Sequence, residues 1–174
     1  MRTHSNWRSW SAAVARGAVG GAVLLLGATS PAFGQAKGLE GVWGVTTQER
    51  NCTTNAPLGP PTRELVTYHT GCTVDESRYI PVFALGQLST GHGTWVHDGG
   101  ATFIGRVVTM VQFDTAPNTP PGSPGFQAGW LVNTQFITMS GRDSFTMTGS
   151  GQFYNLNREV YRTGCASRTG ERFK

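Results

Sequence analysis

From about residue 39 onward, glycine, proline, asparagine and aspartate divide the chain into short segments in which apolar and polar residues alternate. A period of two is typical of strands that bury one face, and turn residues between such segments indicate hairpins. The stretch from 101 to 114 shows the pattern best, with Phe103 and Val107 on one face and Arg106 on the other. No later stretch carries an apolar stripe over three helical turns. The sequence therefore predicts an all-β fold.

The alternating segments and their turns predict eight strands in sequence. They are expected at residues 41–50, 63–69, 72–76, 92–97, 101–114, 126–136, 145–153 and 159–173. Strands joined by hairpin-length connections favour an antiparallel up-and-down barrel, because closure leaves no exposed sheet edge. In the sixth strand, Phe126, Trp130 and Phe136 share a face that we expect to point inward. An eight-stranded barrel is either filled by side chains or holds one small ligand, and both alternatives stay open here.

The first 36 residues have the organisation of a secretory signal peptide. Arg2, Arg8 and Arg16 precede or border an apolar stretch of 12 residues, 17–28, and small residues follow. That stretch is shorter than the roughly 20 residues that span a bilayer as a helix. We therefore expect a secreted or periplasmic protein without a membrane anchor, and a single barrel domain at 37–174.

The formal net charge of +4 does not indicate nucleic-acid binding. The leader contains three basic residues and no acidic one, so 11 basic and 10 acidic residues remain in the rest of the chain. A nucleic-acid interface needs clustered Lys and Arg side chains, whereas the arginines here are dispersed. The sequence predicts no nucleic-acid partner.

Three cysteines would enter an oxidising compartment, where two can pair. Closure of the barrel places the first strand beside the last and favours a disulfide between Cys52 and Cys165. If these two face each other, Val45 lies opposite Arg172, which brings Arg172 beside Trp43. A bond between Cys52 and Cys72 is the alternative. In the favoured pairing, Cys72 is a single thiol that is buried or reactive.

Aromatic and arginine side chains on the strands are the candidate ligand contacts. Ligand sites are mostly apolar with a few placed polar groups, and glycines on the inward face of the seventh strand favour some open volume. The candidates for the lumen or its rim are Arg63, Tyr68, Trp95, Phe103, Arg106 and Trp130. The same aromatic residues could equally fill the interior as a core.

Neither a catalytic centre nor a metal site is predicted. His92 and His97 are five residues apart and point to opposite faces of a regular strand, as do the adjacent carboxylates of Asp75 and Glu76. No nucleophile motif accompanies Ser89, Thr90 and His92. We assign no catalytic residue, metal or cofactor, and we expect the protein not to be an enzyme.

The segment Gly41-Val42-Trp43 resembles the G-x-W signature of the lipocalins and the wider calycin group. In that family the Trp packs at the barrel floor against an Arg of the last strand, and Arg172 matches this partner. The order of strands and the segments around Cys52 and Cys165 also resemble small exported bacterial lipocalin-like proteins. The resemblance implies that a small apolar or amphipathic molecule binds inside the barrel.

Two other functions stay open. The chain could be an interaction protein, such as an inhibitor of an extracellular enzyme, that uses the Pro-rich and Gly-rich loop 115–125 as its contact. It could also be an isomerase or cyclase that acts on a molecule in the barrel pocket. Binding without catalysis is the expectation that the residues favour.

Overall fold

The structure is a computed structural model that describes residues 38–116 and 125–174. Eight β-strands make up its regular structure. They are β1 (Gly41–Arg50), β2 (Thr62–Tyr68), β3 (Thr73–Arg78), β4 (Gly91–Gly99), β5 (Thr102–Val111), β6 (Gly129–Met139), β7 (Ser144–Asn155) and β8 (Val160–Arg172). The predicted signal peptide and most of the predicted 115–125 loop lie outside the described residues.

The strands form a closed barrel in which every neighbour in sequence is a neighbour in space. All eight pairings are antiparallel, and β1 pairs with both β2 and β8. The predicted all-β, eight-stranded antiparallel up-and-down barrel is therefore confirmed. Because β8 closes onto β1, the backbone groups at the two ends of the sheet hydrogen-bond to each other.

The disulfide between Cys52 and Cys165 is present, but the predicted strand register was wrong by two residues. Arg50, not Cys52, lies opposite Cys165, and Val45 lies opposite Gly170. The reason is that Cys52 follows the end of β1 and reaches Cys165 from a turn. This register places Arg172 directly opposite Trp43.

The inward faces of β5 and β7 follow the alternation of the sequence, whereas the predicted face of β6 was wrong. Trp130 pairs with Met110 and Phe136 pairs with Ile104 on the outer wall. The buried positions of β6 are instead Gly129, Leu131, Asn133, Gln135 and Ile137. Both faces of this strand carry large apolar residues, so hydrophobicity alone does not select one. Phe113, which continues the alternation of the predicted fifth strand at 101–114, lies past the end of β5 and is exposed.

The lower end of the barrel is filled by an apolar cluster around Trp43. Its ring centroid lies 4.9 Å from that of Phe145, and its Nε1 donates to the Leu39 carbonyl at 2.8 Å. The Arg172 guanidinium covers the Trp43 ring, with Cζ 4.2 Å from the ring centroid. Further buried members of this lower cluster are Val45, Val66, Tyr68, Val74, Trp95, Phe103, Val107, Ile137 and Met147.

Arg172 also closes the lower end by binding backbone carbonyls. It donates to the carbonyl oxygens of Gly38, Glu40 and Arg142, and its Nε lies 3.2 Å from Asp143 Oδ1. A Cβ at Gly41 would lie 2.5 Å from Arg172 Nη1, and Gly41 has a φ of 131°. Glycine is needed there because a side chain would strain the backbone and displace the guanidinium.

Candidate functional site

A layer of buried charges crosses the barrel above the lower cluster. It contains Glu64, Glu76, Arg78 and Arg168, and none of these exposes more than 8% of its side chain. Two carboxylates and two guanidinium groups make the layer neutral overall. Buried charges are tolerated when they are paired and hydrogen-bonded, and this arrangement satisfies that condition.

Arg168 and Arg78 both bridge the two carboxylates of this charged layer. Arg168 Nη1 lies 3.2 Å from Glu64 Oε1 and 3.1 Å from Glu76 Oε1. Arg78 Nη2 binds Glu76, and Arg78 Nε lies 3.5 Å from Glu64 Oε2. Gln135 Nε2 donates to Glu76 Oε2 at 2.8 Å. The four charged groups therefore hold one another in position across three strands.

Burial shifts the pKa values of two side chains in and beneath the charged layer, Arg78 and Tyr68. Burial first, and then the positive charge of Arg168, lower the pKa of Arg78 to about 10. Burial also raises the pKa of Tyr68, whose hydroxyl donates to Gln135 Oε1 at 3.4 Å from beneath the layer. Arg78 therefore stays charged and Tyr68 stays neutral at pH 7.

Above the charged layer lies a cavity of about 180 Å³ in the upper half of the barrel. Its floor includes Glu64, Arg78 and Asn133. A water molecule occupies about 30 Å³ in the liquid, so the cavity equals roughly six water volumes. Pockets for drug-sized ligands measure about 300–1,000 Å³. The cavity therefore suits a small molecule only.

Three phenylalanines form one wall of this upper cavity. The ring centroids of Phe83 and Phe126 are 3.9 Å apart, and that of Phe153 lies 5.3 Å from Phe126. The guanidinium of Arg162 covers the Phe126 ring, with Cζ 4.5 Å from the centroid. The wall thus combines apolar surface with one cation, which is half-buried.

Small residues of β7 and β8 line another wall of the upper cavity. Gly151 and Gly164 pair across these strands, and Ala166 lies beside them. A Cβ at Gly164 would meet no atom within 4 Å. A larger side chain at 164 would therefore occupy the cavity without displacing its neighbours.

Two nitrogen donors in the cavity lining make no hydrogen bond with any described residue. They are Asn133 Nδ2 and Arg78 Nε, and both atoms are buried. Leaving a buried donor unpaired costs about 1–3 kcal/mol. Arg78 Nε lies 3.5 Å from the Glu64 carboxylate, which balances its charge, whereas Asn133 Nδ2 has no such partner among the described residues. A bound molecule with an acceptor oxygen near Asn133 would recover part of that cost.

The structure divides the six sequence-predicted ligand contacts into two groups. Tyr68, Trp95 and Phe103 are buried in the lower cluster, below the charged layer. Arg63, Arg106 and Trp130 lie on the outer wall, where Arg63 borders an open groove between β1, β2 and β8. None of the six lines the upper cavity. Arg63, Arg106 and Trp130 do not face the lumen, because their strand positions alternate with the buried ones. A ligand contact of these residues at the rim stays a prediction.

Part of the cavity lining was expected from the sequence, namely the inward-pointing Phe126 and the glycines of the seventh strand, whereas the charged floor was missed. A signal exists for the charged layer, since Glu64 alternates with the buried Val66 and Tyr68, and Glu76 with Val74. A charge on the inward face of a strand predicts a buried ion pair. The partners could not be identified without the register that brings Glu64 opposite Arg78.

Two exposed histidines, His69 and His92, meet one carboxylate on the outer wall. His69 Nε2 lies 2.9 Å from Asp75 Oδ2, and His92 Nδ1 lies 2.6 Å from Asp75 Oδ1. Cys72 is exposed in the nearby turn, so it is not the buried thiol that the sequence allowed. Within 38–116 and 125–174, no group of three or more His, Cys, Asp or Glu residues could hold a metal ion.

Replacing Asp75 with asparagine should lower the free energy of unfolding by less than about 1 kcal/mol at pH 7, because exposed ion pairs contribute little. Hydrogen bonds from His69 and His92 lower the pKa of Asp75 in the folded protein. Its stabilisation is therefore complete above the unfolded-state pKa and is lost as the pH falls through the folded-state value. Urea unfolding at pH 7 and pH 3 measures both effects, and a loss above 2 kcal/mol at pH 7 would contradict a surface role.

No helix in the described part of the chain is long and apolar enough to cross a bilayer. The chain matches no protein-family model, and it matches none of the curated proteins with which it was compared. The closed eight-stranded antiparallel barrel is consistent with a lipocalin-like fold. The Trp43–Arg172 contact at its floor has the form that the resemblance to the lipocalins implies.

Proposed function

We propose that the protein is an exported lipocalin-like barrel that binds a small apolar or amphipathic molecule in the upper cavity. The observation that carries this proposal is a cavity of about 180 Å³ with an aromatic wall and an unpaired buried donor, Asn133 Nδ2. Ligand sites combine mostly apolar surface with a few convergent polar groups. The lower half of the barrel is packed, so the ligand is small.

Export is supported by two independent features. Residues 1–36 have the pattern of a signal peptide, and a disulfide joins Cys52 to Cys165. Stable disulfides are characteristic of oxidising compartments. A binding protein with this location would meet its ligand outside the cytoplasm.

Replacing Gly164 with leucine should abolish binding without unfolding the protein. The new side chain would enter the cavity, where a Cβ meets no atom within 4 Å. Filling the cavity should leave stability unchanged or raise it by up to about 1 kcal/mol. Binding is measured by ligand-detected NMR with a panel of small aromatic and short-chain aliphatic acids, alcohols and ketones. Quenching of Trp fluorescence is unsuitable, because no tryptophan of the described residues lines the cavity.

The matched control is Gly71→Leu, in the turn between β2 and β3. A Cβ there also meets no atom within 4 Å, but Gly71 lies outside the barrel at its lower end. The control should bind the same molecules as the unmodified protein. Equal binding by the Gly164→Leu variant would exclude the upper cavity as the site, and the absence of binding by the unmodified protein to every panel member would remove the proposal.

A protein partner is the second candidate, and the outer wall of β4, β5 and β6 favours it. Four apolar side chains there, Val96, Val108, Met110 and Phe136, are 39–56% exposed. Contiguous exposed apolar surface often marks an interaction site. A partner held on this wall would bind the Gly164→Leu variant as well as the unmodified protein, which separates the two functions.

A further inference from the structure

The unpaired groups in the upper cavity are donors, and this constrains the chemistry of the ligand beyond the proposed function on which the inference rests. Asn133 Nδ2 has no hydrogen-bond acceptor among the described residues, and the Arg162 guanidinium stands in the same lining without an ion-pair partner among them. Neither group can accept a hydrogen bond at its nitrogens. The complementary ligand therefore presents acceptor oxygens to the floor of the cavity.

The cation on the wall favours a negatively charged acceptor. Arg162 makes no ion pair with any residue in 38–116 or 125–174, although it is half-buried against Phe126. The carboxylates in the same lining are Glu64 and Glu49. Glu64 is already bound by Thr47 and Arg168, and Glu49 is exposed at the mouth. Water screens the charge of Glu49 more strongly than that of Arg162, so an anion inside the cavity is attracted on balance.

The shape of the cavity favours a flat apolar body attached to that anion. The rings of Phe83 and Phe153 border the cavity and pack well against another ring, while Phe126 already contacts Phe83 and Arg162. Gly151 and Gly164 leave the β7–β8 wall without side chains. The volume of about 180 Å³ accommodates one substituted ring and lies below the range of about 300–1,000 Å³ typical of pockets for drug-sized ligands.

We propose that the upper cavity recognises a small aromatic carboxylate, whose ring lies among the three phenylalanines and whose carboxylate accepts hydrogen bonds from the uncommitted nitrogens of Arg162 and Asn133. A carboxylate is a pure acceptor, and its hydrogen bonds to charged donors are stronger than those of neutral acceptors. The proposal thus names the substrate class of the site rather than a new site.

The test is isothermal titration of the protein at pH 7 with benzoate, benzamide and benzylamine. These three probes share one ring and differ in the charge of the attached group. Benzoate should bind about tenfold or more tightly than benzamide, since charge-assisted hydrogen bonds are worth that much more than neutral ones. Benzylamine should bind most weakly, because it brings a cation and further donors to a donor-lined floor.

The Arg162→Gln variant tests whether Arg162 causes the preference for benzoate over benzamide. It should weaken benzoate binding about tenfold and change benzamide binding by less than about twofold, because only the charged partner is lost. Arg142→Gln is the matched control, since Arg142 is exposed at the lower end of the barrel, and it should change neither affinity.

Several results would overturn the carboxylate assignment while leaving the proposed function intact. These are equal binding of benzoate and benzamide, tighter binding of benzylamine, or an unchanged benzoate preference in Arg162→Gln. Absence of binding by all three probes also overturns it. The proposed function falls only when the wider panel of small molecules fails as well, so the two failures are distinguishable.

Discussion

Replacing Cys52 with serine is expected to lower the free energy of unfolding by about 4–5 kcal/mol in the chain-entropy description of disulfide stabilisation. The bond between Cys52 and Cys165 spans 113 residues of sequence and joins the end of β1 to β8. Without it, the unfolded chain gains the freedom that this long loop had removed. Guanidinium unfolding of the variant and of the oxidised protein measures the difference.

The matched control for the disulfide is Cys72→Ser, because Cys72 is a free and exposed thiol. This variant should unfold within about 0.5 kcal/mol of the unmodified protein, as surface substitutions usually do. Reducing agent should destabilise the Cys72→Ser variant and leave Cys52→Ser unchanged. Equal stability of the two variants would mean that the bond adds nothing to a barrel already held by its strand pairing.

Replacing Arg168 with methionine is the second substitution expected to have a large effect, with a loss of about 3–5 kcal/mol. Methionine fills a similar volume but leaves Glu64 and Glu76 with only Arg78 to balance two buried negative charges. Removing one member of a buried ionic cluster is costly because the remaining charge stays desolvated. Urea unfolding at pH 7 measures the loss.

The exposed Arg106 on the outer wall supplies the control for Arg168. Arg106→Met should change stability by no more than about 0.5 kcal/mol, because the side chain is solvated. Combining Glu76→Gln with Arg168→Met should cost less than the sum of the two single changes, since the double variant removes charge of both signs. Additive losses would show that the two residues do not stabilise each other.

The fold could be predicted because local pattern and closure agree. The alternation in β5 and β7 identifies their inward faces, and eight antiparallel strands without a free edge imply that β1 meets β8. The register between these two strands could not be predicted, because the position of Cys52 beyond the strand end depends on the turn. The inward face of β6 was predicted wrongly for another reason. Leu131 and Ile137 on one face are as apolar as Trp130 and Phe136 on the other, and the inward face also carries two buried polar residues, Asn133 and Gln135.

Less of the candidate site than of the fold could be predicted from the sequence. Glu64 and Arg168 are 104 positions apart in the sequence, and only the closed barrel brings them within 3.2 Å. Arg162 acquires its place in the cavity from its pairing with Phe153 on β7. The aromatic ligand contacts were predicted because of their residue type. Residue type alone does not distinguish the packed lower half of a barrel from its open upper half. No sequence pattern indicates that the side-chain nitrogen of Asn133 lacks a hydrogen-bond partner.

The most direct test of the account is an NMR titration of the isotopically labelled protein with the tightest-binding member of the small-molecule panel. Binding in the upper cavity should shift the amide signals of Asn133, Gly151 and Gly164 and leave those of Val66 and Val74, in the packed lower half, unchanged. Shifts confined to the outer wall of β4 to β6, or to the lower half, would contradict a ligand site above the charged layer.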